Sequence, residues 1–153
     1  MLKKIGMHCG QSGFSLVELV LTLVIIGILA AVVGPRFFDR KVFDERLFFE
    51  ETVSAVRYAQ KLALASGCLI QVSLDANGYR VRRAADCSSG NFSADAQGPD
   101  GQVPFANTVP SGVAVSATQF PVVFDSLGRP SSAANATIGA FSFSVTAETG
   151  LVR

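Results

Sequence analysis

Glu18 is the fifth residue of an apolar run that starts at Phe14 and continues almost unbroken to Val33. An ionised side chain in hydrocarbon costs about 2–3 kcal/mol on insertion scales, so a carboxylate retained there calls for a partner. Cutting the chain between Gly13 and Phe14 would create one. The new α-amino group of Phe14 could meet Glu18 of a neighbouring copy, neutralising both charges and setting the axial register of stacked chains. Two further sets of residues could do chemistry: the thiols of Cys68 and Cys87, and the guanidinium groups of Arg80, Arg82 and Arg83, which could touch phosphates.

The flanks of the apolar run define how it would sit in a membrane. Lys3 and Lys4 precede it, and positive charge before a first membrane segment holds that end in the cytoplasm. Residues 36–153 are then extracytoplasmic. Phe14 to Gly34 is 21 residues, which as a helix is roughly 31 Å, enough to cross a hydrocarbon core. A secretory signal does not fit, because its small-residue cleavage site follows the apolar region, whereas here the cleavable bond precedes it. A lipoprotein signal ending at Cys9 does not fit either, since Gly6-Met7-His8 is not apolar. An anchor that is never cut explains the length and hydrophobicity of the run and leaves Glu18 without a role.

Gly13-Phe14-Ser15-Leu16-Val17-Glu18-Leu19, followed by Ile26-Gly27-Ile28-Leu29-Ala30-Ala31 and Pro35, resembles the signature of the type IV pilins and pseudopilins. The short basic leader is similar to that of the type IVa class. The resemblance implies a leader peptide over residues 1–13, cleavage after Gly13 by prepilin peptidase and N-methylation of Phe14. It also implies an assembly role for Glu18 and Pro35, the fifth and twenty-second residues counted from Phe14. Gly34 departs from the family, which more often carries a bulky aliphatic there, and Gly beside Pro weakens a helix through backbone entropy and a lost hydrogen bond.

The fold class implied is α+β. A long N-terminal helix, membrane-spanning over 14–35 and amphipathic over 36–66, packs on an antiparallel β-sheet head of 67–153. Val122-Val123-Phe124-Asp125-Ser126-Leu127-Gly128-Arg129-Pro130 and the β stretch after it are similar to minor pilins and pseudopilins of the H/FimT type. Tyr58 to Cys68, with Gly34 to Asp39, looks like the minor pilins of mannose-sensitive haemagglutinin (MSHA) pili. The roles implied are initiation or capping of a type IVa fibre, or an H-like place in a type II secretion pseudopilus, or DNA capture or adhesion at a pilus tip. The partners implied are prepilin peptidase, other pilin subunits and the bacterial inner membrane, which the head leaves from the periplasmic side for the extracellular fibre.

Hydrophobic residues reach 49% of the 153, a total raised by the anchor. The 87 residues of the head are marginal for an unaided core, so a covalent staple is expected. Loss of the leader removes Cys9 and leaves Cys68 and Cys87 in an oxidising setting, which suggests a disulfide. Asn77-Gly78 reads as the central pair of a type I′ hairpin turn. That turn would set Ala76 opposite Tyr79 and, back along both strands, Cys68 opposite Cys87.

After Pro35, Phe38, Val42, Phe49, Val53, Val56 and Ala63 mostly drift along one helical face, the expected core stripe. The aromatic residues Phe37, Phe38, Phe43, Phe48 and Phe49 are too many for one face, so some are expected against neighbouring subunits. Gly67 is the expected stop. Strands are expected at Cys68–Asp75, Gly78–Ala85, Val113–Ala117, Val122–Asp125 and in the alternation of Phe141, Phe143 and Val145, with an edge strand at Leu151–Arg153. Ser88 to Pro110 reads as a long exposed loop.

Enzymatic readings find no foothold. The one histidine, His8, lies in the leader, and the sequence has no metal-ligand cluster, no cofactor motif and no phosphate-cradling glycine loop before a helix. The net charge is +1 and becomes −1 without Lys3 and Lys4, so no global basic footprint speaks for nucleic acid. Arg80, Arg82 and Arg83 read either as a phosphate contact or as solvated edge-strand charge, and Arg129 and Arg153 would extend a patch only if the fold brings them near. Asn91-Phe92-Ser93 and Asn135-Ala136-Thr137 are formal glycosylation sequons.

Overall fold

A computed structural model describes residues 13–33 and 40–153. The chain divides into two compact units, one ending at Asp39 and the other running from Arg40 to Arg153. The described helix of the first unit, α1 (Leu16–Val33), is 18 residues long and presents Leu16, Val20, Leu23, Ile26 and Leu29 to solvent. At about 1.5 Å per residue it measures about 27 Å, a little under the ~30 Å hydrocarbon core. Among the described residues no helix is long and apolar enough to cross a membrane. The expected span of Phe14 to Gly34 is thus seen only in part, because Phe14 and Ser15 precede the helix and Gly34 and Pro35 lie outside the described residues.

The second unit is built on α2 (Arg40–Ser66), a stretch free of Gly and Pro. Its buried face is Phe48, Thr52, Ala55, Val56, Ala59 and Ala63, a helical repeat in which the alanines admit the sheets closely. The Thr52 hydroxyl donates to the Phe48 carbonyl at 2.7 Å, so its burial leaves no polar group unpaired. Of the expected stripe, Val53, Val56 and Ala63 are buried, while Phe38, like Phe37, lies outside the described residues. Phe48 is sealed, Phe49 is half-buried, and Val42 and Phe43 are exposed. Glu45, expected off the core face, is buried against the turn at Gly139 with Lys41 3.9 Å away. Gly67 ends the helix at φ +70°, its N–H donating to the Ala63 carbonyl at 2.9 Å.

Two antiparallel sheets pack on α2. The first contains β1 (Ile70–Asp75), β2 (Gly78–Arg83), β3 (Ala94–Asp95), β4 (Ala106–Thr108) and β6 (Val122–Phe124), in the order β3-β2-β1-β6, with β4 also paired to β2. The second is β5 (Val115–Thr118), β7 (Ala134–Ile138) and β8 (Phe141–Val145), in the order β5-β7-β8. Alternation sends Ile70, Val72 and Leu74, Tyr79 and Val81, Val122 and Phe124, and Phe143 and Val145 into the common core.

Three expectations change. Asp75, not Ala76, begins the hairpin turn, and it pairs with Gly78. The segment 88–110 is not all loop, because β3 and β4 line the outer edge of β2 and Ala96 is buried. An uncovered edge would offer unpaired backbone groups to other chains, and these two short strands occupy it. At the C-terminus, Leu151–Arg153 makes a single bridge, Val145 with Val152, in place of a full strand. On the helix, Gln60 holds two loops at once. Its Nε2 donates to the Gly128 carbonyl at 2.9 Å and to the Thr149 carbonyl at 2.8 Å.

Candidate functional site

At the N-terminal end the Gly13-Phe14 bond lies just before α1, outside any helix or strand and exposed, with Phe14 74% accessible. The helix begins once the Leu19 N–H reaches the Ser15 carbonyl at 3.1 Å. Glu18 therefore sits in the first helical turn, where a carboxylate meets the positive end of the helix dipole. Pro35 falls outside the described residues.

Cys68 and Cys87 are joined in the structure, their Cα atoms 4.1 Å apart. The route differs from the one expected. With Asp75 opposite Gly78, the ladder alone would bring Ala85 across from Cys68. Beyond Ala84 the chain instead turns back, with the Cys87 N–H donating to the Ala84 carbonyl at 3.3 Å and the Leu69 N–H donating to the Cys87 carbonyl at 2.8 Å. Cys87 takes the left-handed conformation at φ 67° in that turn.

The arginines do not form one basic patch. Arg80 and Arg82 share the face of β2 opposite the core, and Asp95 on the neighbouring β3 lies beside them. Arg80 donates through Nε and Nη2 to the two Asp95 oxygens at 2.9 and 2.8 Å, while Arg82 lies 3.9 Å from the same carboxylate. The Arg80 hydrogen bonds hold the Asp95 carboxyl below the usual carboxylate range and push the guanidinium up. With its folded value depressed, Asp95 favours the native state above the ordinary carboxylate pKa, and that contribution is lost as pH falls through the lowered one. Arg83 points elsewhere, lining a cleft with Tyr58, Leu62 and Gln97. Arg129 is engaged within its own turn, donating from its backbone N–H and Nε to Asp125 at 2.8 and 3.0 Å. Arg153 is exposed, with its backbone paired to Ser144. Asp95 is the residue that sequence reasoning missed, since nothing in residues 88–110 marks it as the partner of β2.

Residues 9–34 match the family model of the prokaryotic N-terminal methylation motif. Over 51 residues the chain is 43% identical to the type IV narrow pilus major component PilA5 of Thermus thermophilus, a match covering 33% of this chain and 44% of that protein. The chain thus spans less than half the length of that curated relative. In fold it is similar to the type IV minor pilin FimU of Pseudomonas aeruginosa, with a TM-score of 0.54 at 11% identity, covering 74% of this chain and 89% of that one. It is also similar to the minor pseudopilin EpsH of the Vibrio cholerae type 2 secretion system, with a TM-score of 0.51 at 14% identity, covering 74% and 93%. The N-terminal segment thus carries the methylation motif, and the fold is similar to that of a minor pilin and a minor pseudopilin. The N-terminal signature is matched in sequence, and the head is matched in architecture. A helix packed on antiparallel sheet is what the pilin-like head shares with FimU and EpsH.

Proposed function

We propose that this chain is a minor type IV prepilin, a structural subunit and not an enzyme, which helps initiate or cap a type IVa fibre of the MSHA-like kind. The observation that carries this reading is the single acid Glu18 in the first turn of an apolar helix, directly after an exposed Gly13-Phe14 bond. Prepilin peptidase cuts after Gly13 and Phe14 is methylated. Residues 14–35 hold the subunit in the inner membrane with residues 67–153 in the periplasm, and then join the helical centre of the fibre with Glu18 set against the Phe14 amine of the next subunit.

The similarity of fold to EpsH favours a second reading, an H-like subunit of a type II secretion pseudopilus. A DNA-receptor role has less support, because Asp95 occupies the Arg80 guanidinium. Fibres sheared from the surface of the native host and analysed by mass spectrometry test the proposal. They should contain a chain that begins with methylated Phe14. A chain that keeps Met1, or one present in the membrane fraction and missing from the fibres, would contradict it.

A further inference from the structure

The helix-facing side of β2 carries a polar group for which the fold has no use. Tyr79 is only 6% exposed, its ring 6.0 Å from that of Phe48 and 5.8 Å, edge-on, from that of Phe105. Among the described residues its hydroxyl has no hydrogen-bond partner, yet no buried side-chain oxygen is sealed without one. The hydroxyl therefore reaches solvent, and Tyr79 lines a pocket of about 590 Å³ whose walls include Glu50, Glu51, Asp100, Phe105 and Asn107, with Glu51 and Asp100 close enough to act on the phenol. There the hydroxyl has no partner among the described residues to compete with a ligand for its proton. Burial and the charges of Glu51 and Asp100 push the phenol above its usual value, so it keeps its proton and can donate.

The charge in this pocket has one sign. Glu50, Glu51 and Asp100 line it, and no lysine or arginine does. Glu51 accepts a hydrogen bond from Asn107 Nδ2 at 2.7 Å through Oε2, which fixes the carboxylate and leaves Oε1 for another donor. A metal ion does not suit the arrangement, since among the described residues no three such ligands converge on one point. Dispersed carboxylates beside an aromatic side chain suit a larger, softer cation, with its charged head among the acids and its alkyl stem along the apolar surface of Phe105.

We propose that this pocket binds an alkyl guanidinium or ammonium group, carried either by a free amino-acid-sized cation or by a basic side chain on another protein. The site is separate from the N-terminal signature and does not depend on the assembly role. The test is a titration of the isotope-labelled full-length chain in detergent micelles, read by amide chemical shifts. The probes are arginine amide, a capped five-residue alanine peptide with one central arginine, and citrulline amide as the uncharged isostere.

Arginine amide or the peptide should give saturable shifts in residues 50–54 and 99–107. Saturation by arginine amide identifies a free cation as sufficient, and saturation by the peptide alone identifies a protein-borne side chain. Glu51→Gln with Asp100→Asn should weaken binding by about tenfold or more, since charge-assisted hydrogen bonds are lost. Tyr79→Phe, which keeps the ring contacts, should weaken it by a few-fold. No saturable shift with either cation, an equal response to citrulline amide, or unchanged affinity in both folded variants would overturn the proposal.

Discussion

Gly78 shows how a residue can be recognised correctly from sequence and placed for a different reason. Asn77-Gly78 was legible as a turn, and a hairpin does stand there, but Gly78 belongs to β2 and pairs with Asp75. It needs to be glycine on two counts. Its φ is +144°, and a Cβ would land on the Asn107 carbonyl and 2.9 Å from the Thr108 Cα, both backbone atoms of β4. Neither neighbour can rotate away. Gly78→Ala should therefore lower the thermal midpoint by roughly 4–8 °C per kcal/mol lost, and by more than one such step. A calorimetric scan that leaves the midpoint unchanged would show that β4 shifts freely on the edge of β2. The rule for type I′ turns could not reveal β4, because the clash comes from residues about thirty positions later.

Among the elements, those with strong period were readable. The alternation of Phe141, Phe143 and Val145 is β8, and the long Gly- and Pro-free run to Ser66 is α2. β7 carries a weak strand signal, though Ala134, Ala136 and Ile138 alternate into the core, since alanine and asparagine are poor strand formers. Its burial comes from lying between β5 and β8, which no local pattern announces. The same limit explains the stripe on α2, where two adjacent phenylalanines left the rotation ambiguous and tertiary packing chose Phe48. The disulfide binds the end of α2 to the end of β2. In the chain-entropy model a 19-residue separation is worth about 3 kcal/mol. Cys68→Ser with Cys87→Ser should lower the denaturation midpoint by a corresponding amount, and reduction of the parent should reproduce that loss. If the double variant melts with the oxidised parent, the bond is present without contributing to stability.

Across the whole of the second unit, α2 is the element that both sheets share, touching β1, β2 and β6 of one and β7 and β8 of the other. The hydrophobic patterns of the strands predicted a head on a helix, but not two sheets, because the break between them falls in short turns around Gln119 and Leu127. Gln60 reaches across this arrangement to the loops containing Gly128 and Thr149, roughly twenty residues apart in sequence. One amide group therefore couples their motions. Neither loop can lift away from the helix without disturbing the donor that the other also uses, so the amides of Leu127, Gly128, Gly150 and Leu151 should exchange with deuterium on a common schedule. Gln60→Ala should speed exchange in both loops together and leave the amides of β1 slow. Acceleration confined to one loop would mean that the two open independently, and that the shared donor is a coincidence of packing.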